Sequence, residues 1–242
     1  MVVTAKMKVR LDFKEDVLGS LPADQELLTR FVSSKVDDPL LKAEEGDCVP
    51  ERTNDSGHTV FPQDETGTFL YNYHIKGFLK EAGNNLKDAV GVKNLRSKID
   101  NFLFIHPRRI YIHREGEGVV VEADDILERP LRAQTMRGPR VSLVGSERIY
   151  APAYLELEIE LLPHKELTLD VVRQLFAYGR LKGLGQWRNG GYGSFTWEEI
   201  DAVDFGKGSD NGRKKKGRPR KDTAPEKITS PLYVEKLGNK KA

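Results

Sequence analysis

The sequence predicts an α+β fold with a ferredoxin-like core, on three observations. Two segments alternate apolar and polar residues as half-buried strands do: residues 4–13, with Ala5, Met7, Val9 and Leu11 on one face, and residues 154–162 (YLELEIELL). Two others, residues 24–36 and the stretch after Thr168, space their apolar residues for one face of a helix. The order along the chain is strand, helix, strands, strand, helix, glycine-rich segment, strand. A doubly wound parallel sheet would alternate its strands and helices regularly and would use uniformly apolar strands, so it does not fit.

Taken in order, residues 24–36 (DQELLTRFVSSKV) place Leu27, Leu28, Phe31 and Val32 at helical spacing. Residues 37–67 are polar, acidic and punctuated by Gly and Pro, which predicts a long loop or insertion. A second helix is predicted over 71–87, interrupted or capped near Gly83-Asn84. Residues 102–113 read as a strand, with Ile110 and Ile112 opposed to Tyr111 and His113. Residues 119–121 would be its hairpin partner across Gly116-Glu117-Gly118. Residues 133–143, rich in Arg, Gly and Pro, predict an exposed loop or hairpin. Thr168 is placed to cap a helix whose core face is Val171, Val172, Leu175 and Phe176. A glycine-rich segment then runs from 179 to 193, and residues 194–200 form the last strand.

Apolar periodicity stops by Phe205, so the expected organisation is a body over 1–206 and a flexible basic tail over 207–242. The tail begins KGSDNGRKKKGRPRKDTAPEK and has too few apolar side chains to offset the entropy of ordering it. Truncation after residue 206 is therefore expected to leave the melting temperature nearly unchanged. A drop of many degrees in thermal denaturation would show instead that the tail docks on the body.

Composition bounds the function. The chain has 242 residues, 38% hydrophobic and 31% charged, with a formal net charge of +2. That small value hides an asymmetry. Residues 207–242 carry 12 Lys and Arg against 4 Asp and Glu, whereas the body carries 27 against 33. A nucleic-acid surface on the body must then be a local patch on an acidic whole. The single cysteine, Cys48, allows no intramolecular disulfide and no paired-cysteine metal site, which favours a reducing compartment and a cytoplasmic protein. No run of 18 apolar residues is present, so no membrane partner is expected. P-loop and dinucleotide-binding fingerprints are absent, since GLGQWRNGG follows a helix rather than a strand; no cofactor is expected.

Three segments carry candidate chemistry. The first is GRLKGLGQWRNGGYGSF, where Gly183, Gly185, Gly190, Gly191 and Gly193 lie among Arg180, Lys182, Trp187, Arg188 and Tyr192. Glycines let a backbone approach a phosphate closely, cations supply counter-charge, and aromatic rings offer a stacking face. A plain helix-to-strand connection, with Trp187 packed on the body, is the competing account. The second is NYHIKGFLKE, where Lys76-Gly77 and Lys80 set two ammonium groups on one helix face near its start. The third holds Arg129, Arg132, Arg137, Arg140 and Arg148 with Glu147 as its single acidic residue; phosphate binding is a natural use of such arginines, and a solvated hairpin is the alternative.

These stretches resemble one family. IKGFLKEA resembles the Lys-Gly-x-Leu-Arg helix start of the RAMP superfamily, the repeat-associated proteins of CRISPR effector complexes. SERIYAPAYLELEIELL resembles that family's approach to its late strand, and LFAYGRLKGLGQWRNGGYGSF its signature glycine-rich loop. The three occur in the family's order and span residues 71–198. The resemblance implies an RRM-like ferredoxin core and an RNA-binding structural subunit that assembles with other subunits or copies of itself. It further implies that Lys76, Lys80, the 183–193 loop and Arg180 or Arg188 line the nucleic acid. The chain departs from the family at Ala151-Pro152-Ala153-Tyr154, which lacks the family's glycine, and in its acidic body and basic tail.

Within the tail, Lys216-Gly217-Arg218-Pro219-Arg220-Lys221 reads as an AT-hook, whose Gly-Arg-Pro core suits the narrow minor groove of A·T-rich DNA through Arg218 and Arg220. A DNA-binding accessory or regulatory protein acting through this tail is thus the first rival reading, and an endoribonuclease on the same fold is the second. The five histidines match no metal or hydrolase motif. His106 and His113 read as structural, and His74, beside Lys76, is the one placed to serve as a general base. Asp12, Asp24, Asp37 and Asp38 are the carboxylates considered as metal ligands, although their spacing does not require a metal, and no metal is expected.

Overall fold

The structure, a computed structural model, describes residues 4–34, 38–49, 57–136 and 138–203. The chain divides into two units, Met1–Lys207 and Gly208–Ala242, and the second lies outside the described residues, as do the AT-hook-like segment with Arg218 and Arg220, Arg137 and Asp37. The first unit opens with β1 (Ala5–Phe13), the short β2 (Val17–Leu18) and β3 (Leu21–Pro22), α1 (Gln25–Ser33) and α2 (Pro39–Asp47). Next come β4 (Thr59–Val60), β5 (Gln63–Asp64), β6 (Gly67–Tyr71), the long α3 (Asn72–Val90) and α4 (Leu95–Phe102). Then follow β7 (Leu103–His106), β8 (Arg109–Arg114), β9 (Gly118–Val119), β10 (Asp125–Thr135) and β11 (Gly138–Ile149). β12 (Ala153–Leu161), α5 (Leu169–Ala177) and β13 (Phe195–Val203) complete it.

The core sheet runs β13-β1-β12, with β7 and β8 both pairing along β12, and all these pairings are antiparallel. The first strand lies between the last and the third core strands, which is the ferredoxin-like order. β1 and β12 match residue for residue from Ala5↔Leu161 to Phe13↔Ala153, and both alternate between buried and more exposed positions. That alternation makes one face apolar, and α3 and α5 cover it. α3 contributes Ile75, Phe78, Leu79 and Ala82, at the spacing of a single helix stripe. α5 contributes Val171, Val172, Leu175 and Phe176, and Thr168 caps it by accepting a hydrogen bond from the Val171 N–H. Asp24 caps α1 in the same way, accepting from the Leu27 N–H at 2.9 Å.

Several expectations are corrected. The segment 37–67 is not one long loop: α2, β4 and β5 lie within it, and the inserted region starts directly after β1. Leu21, Leu28, Val32, Val60, Phe69 and Tyr71 form a second apolar cluster of their own there. α3 is not interrupted at Gly83. It runs on to Val90 because Gly83 is where α4 crosses; a Cβ there would lie 2.5 Å from Ile99 Cδ1. α4 itself was not anticipated, and the strand expected over 102–113 is two strands, β7 and β8. The hairpin of β8 with β9 is present, pairing His113 with Val119. The Arg-rich segment is the tip of a long β10–β11 hairpin, in register from Asp125↔Arg148 to Thr135↔Gly138.

Candidate nucleic-acid interface

The open face of the core sheet is occupied by a charge ladder. Lys6 pairs with Glu158 at 2.9 Å, Lys8 with Glu156 at 3.0 Å, and Thr4 Oγ1 donates to Glu160 at 2.7 Å. Arg10 lies 3.7 Å over the Tyr154 ring and pairs with Asp12, and Tyr154 stacks on His113. RRM domains stack bases on exposed aromatics of this face. Here the corresponding surface is neutralised and its tyrosine is covered, so an interface on the body has to be sought elsewhere.

The glycine-rich loop is fastened by its own backbone. Gly193 N–H donates to Asp16 O at 2.8 Å, Leu184 N–H to Gly193 O at 2.9 Å, and Gln186 N–H to Leu18 O at 3.1 Å. Its glycines answer mainly to the protein's own packing. A Cβ at Gly183 would lie 2.0 Å from the Gly193 carbonyl carbon, and one at Gly193 (φ +67°) 1.9 Å from Leu184 O. Gly179 makes room for the Phe195 ring, Gly185 for Leu18 O and Gly190 for the Trp187 indole. Gly191 differs, since nothing lies within 4 Å of its missing side chain. Close approach to a ligand is thus not needed to explain most of these glycines.

Between this loop and α3 is a cleft of about 660 Å³ whose lining includes Lys76, Gly77, Lys80, Gly185, Arg188 and His74. Three sequence-predicted residues of α3 and two of the loop therefore meet in one place. Lys76 is set one turn into α3, not at its first residue. Its Nζ donates to the Asp100 carbonyl at 2.8 Å, and Lys80 Nζ pairs with the Asp100 carboxylate at 3.0 Å. Burial lowers the Lys76 ammonium from its usual value and Lys80 adds to this, with Asp100 opposing both. Nothing lies within 4 Å of a Cβ built at Gly77, so the fold itself gives no reason for glycine in the middle of this helix.

Two cations of the loop, Lys182 and Arg188, are already paired. Glu81, one turn beyond Gly77, receives Lys182 Nζ at 2.8 Å and Arg188 Nη1 at 2.6 Å. Burial pushes the Glu81 carboxyl up, but the hydrogen bonds from Lys182 and Arg188 outweigh it and hold the carboxyl below the usual range. A depressed carboxylate stabilises the fold above its unfolded value and loses that contribution as pH falls through the folded one. The α3–loop bridge is accordingly complete at neutral pH and opens only in acid, as pH falls below the ordinary carboxylate range. Glu81 and Asp100 were missed by the sequence reading. Glu81 had a signal: it lies four residues after Gly77, on the same face of α3.

The remaining candidates are distributed as follows. Arg180 and Arg132 are exposed, and Arg140 lies on β11. Arg148 belongs to an ion-pair network with Asp125 and Asp16, against the expectation that this arginine cluster lacks acidic partners. Arg129 is buried, with its guanidinium 4.6 Å from the Trp187 ring, and Trp187 stacks on Tyr192 at 5.1 Å. The early-loop carboxylates are not brought together: Asp12 pairs with Arg10, Asp24 caps α1, and Asp38 accepts from the Leu40 N–H. Among the described residues no group of three His, Cys, Asp or Glu side chains could hold a metal, and no helix is long and apolar enough to cross a membrane.

No family model matches the sequence, and no curated protein matches it. Among solved structures, the chain is similar to a chain in a cryo-EM structure of the type III-B Cmr-beta complex bound to cognate target RNA, with a TM-score of 0.45 and 11% identity. The match covers 84% of this chain and 61% of that one, so this chain spans less than two thirds of its neighbour's length.

Proposed function

We propose that the protein is an RNA-binding structural subunit of a CRISPR-effector-like ribonucleoprotein, holding a single strand by its backbone in the cleft between α3 and the glycine-rich loop. The observation that carries this reading is the convergence of Lys76, Gly77 and Lys80 with Gly185 and Arg188, residues far apart in sequence, on one cleft of an otherwise acidic body. Ammonium and guanidinium groups there meet phosphates without reading bases, so binding is sequence-tolerant and strongly dependent on salt. Gly77 leaves the cleft wall bare where a strand would run. Two of the three RAMP-like stretches, 75–82 and 175–195, supply residues to this cleft, which supports the same class; the third holds β12 of the core sheet.

Gly77 provides a two-sided test. Replacing an unconstrained glycine inside a helix by alanine stabilises by about 0.5–1 kcal/mol. Gly77→Ala is expected to raise the melting temperature while weakening RNA binding, and Gly77→Val to weaken it further. Equal affinity for all three proteins, measured by fluorescence anisotropy, would remove Gly77 from the interface.

The assay that separates RNA binding by the body from DNA binding by the tail uses single-stranded RNA, single-stranded DNA and A·T-rich duplex at several salt concentrations. Full-length protein and protein ending at residue 206 are compared. The reading expects the shortened protein to keep its RNA affinity and lose duplex affinity; loss of all binding would make the tail responsible. An endoribonuclease is the rival reading, and it would rest on His74 in the cleft wall as general base. Labelled RNA incubated with and without EDTA tests it, and a cleavage product that disappears in His74→Ala would establish it.

A further inference from the structure

Arg129 is the least satisfied arginine among the described residues. Its side chain, on β10, is 7% exposed, and its Nε and Nη1 are buried without a hydrogen-bond partner. Elsewhere Arg10, Arg109, Arg114, Arg148 and Arg173 each hold one or two carboxylates. A guanidinium cannot shed its charge by deprotonation. Burying an uncompensated charge is costly, and contact with an indole face offsets only part of it. The body has a surplus of acidic residues, and yet none of those described is paired with Arg129.

The surroundings say what the missing partner is. Trp187, 39% exposed and held at a left-handed backbone position (φ +50°), lies over the guanidinium and stacks on Tyr192 with ring planes 18° apart. The next residue, Arg188, lines the cleft. Tyr192 also lines a second concavity of about 500 Å³, with Arg180, Gly190 and Gly191 and with the carboxylates Glu15 and Asp16, that shares no lining residue with the cleft. Arg188 on the cleft and Tyr192 on the second concavity both adjoin Trp187, whose ring faces Arg129, so a strand running from one concavity to the other would cross this stack.

We propose that Arg129 is a phosphate receptor, taking one backbone phosphate of the bound strand where it passes from the cleft over the Trp187–Tyr192 stack. The proposal rests on the RNA-binding reading above and adds to it a site of a different kind. The cleft offers solvated cations already shared with carboxylates, whereas Arg129 offers a nearly dry, unshared fork suited to two phosphate oxygens. The adjoining rings favour a nucleotide over a protein carboxylate, because Tyr192, which lines the second concavity, can stack a base beside the phosphate.

The test uses the full chain with Trp197→Phe, which leaves Trp187 as the reporting indole, since the sequence holds two tryptophans. Inorganic phosphate and sodium acetate are titrated separately at constant ionic strength. Phosphate is expected to change Trp187 emission saturably and to raise the melting temperature, while acetate does neither. Arg129→Met should abolish the phosphate response without lowering the melting temperature in phosphate-free buffer, because it removes an uncompensated charge. The same change should weaken single-stranded RNA binding about tenfold and reduce the salt slope by about 0.7, with Arg129→Lys between the two. Absence of a saturable phosphate response overturns the proposal. So does a response to acetate in place of phosphate, which would mark a protein carboxylate as the partner, or an Arg129→Met protein that is destabilised yet binds RNA normally. Failure of the cleft reading looks different: changes at Lys76 and Lys80 would leave RNA affinity intact while the phosphate signal at Trp187 persists.

Discussion

Replacing Gly193 by valine is expected to cost about 2–5 kcal/mol and to lower the melting temperature by roughly 10 °C. Two effects combine. A β-branched residue at φ +67° loses about 1–2 kcal/mol to the left-handed conformation, and overpacking adds about 1–3 kcal/mol. The obstruction here is the Leu184 carbonyl oxygen, 1.9 Å from the new Cβ, and backbone cannot rotate away as a side chain could. Gly193 also donates to Asp16 and accepts from Leu184, so displacing it unfastens the loop from the start of the inserted region. Gly191 is the control. Its φ of +93° is as demanding, but nothing lies near its missing side chain, so Gly191→Ala should cost only about 1–2 kcal/mol. Thermal denaturation of both variants checks the pair. Equal losses would mean that backbone conformation, not close approach, is what the loop's glycines serve.

The second large effect concerns the sign of the charge in the cleft. Glu81 commits its carboxylate to Lys182 and Arg188, so in the free protein it competes with any phosphate for the same two cations. Glu81→Gln removes one negative charge from the wall and releases both partners. RNA affinity is expected to rise about tenfold at low salt, with a salt slope steeper by up to about 1.4 as two more phosphates are engaged. Thermal stability should fall slightly as the bridge from α3 to the loop is lost. A rise in affinity with a fall in stability cannot come from general damage to the fold. Unchanged or weaker binding would place the strand away from Glu81. Among the lysines, Lys76→Gln is a cleaner probe than Lys76→Glu, because a glutamate at that position would face Asp100 and destabilise the packing of α3 on α4 on its own account.

The sequence disclosed those parts of the fold whose signal is local. β1 and β12 alternate cleanly because one face is core and the other is a charged ladder, and α5 announces itself through Thr168 and a stripe of large apolar residues. The inserted region gave no such signal. β4 and β5 are two residues each, too short to show a period; β4 takes its identity from a partner distant in sequence, Leu21 pairing with Val60, and β5 is one side of a tight hairpin, Gln63 pairing with Thr68. α4 buries only Leu95 and Ile99 and follows Asn94 in a left-handed conformation, too short a pattern to stand out. Gly83 looked like a helix breaker and is a packing glycine, a distinction that only the presence of Ile99 makes. At the candidate site the cationic residues were legible by composition. Their carboxylate partners were less so: helical spacing puts Glu81 on the face of Gly77, but its pairing with the loop, and the part played by Asp100, exist only when the loop and α4 are folded against α3. Nor does the sequence tell Arg148, which is paired, from Arg129, which is not.

Whether the cleft between α3 and the glycine-rich loop holds RNA by its backbone is decided by the affinity of the chain ending at residue 206 for labelled single-stranded RNA, measured by fluorescence anisotropy at two salt concentrations, with and without Lys76→Gln and Lys80→Gln together. The account predicts tight, salt-dependent binding by the unaltered body. The double variant should bind at least tenfold more weakly, with a salt slope smaller by about 1.4, at about 0.7 for each phosphate no longer neutralised. An intact double variant that binds RNA with unchanged affinity and unchanged slope would contradict it.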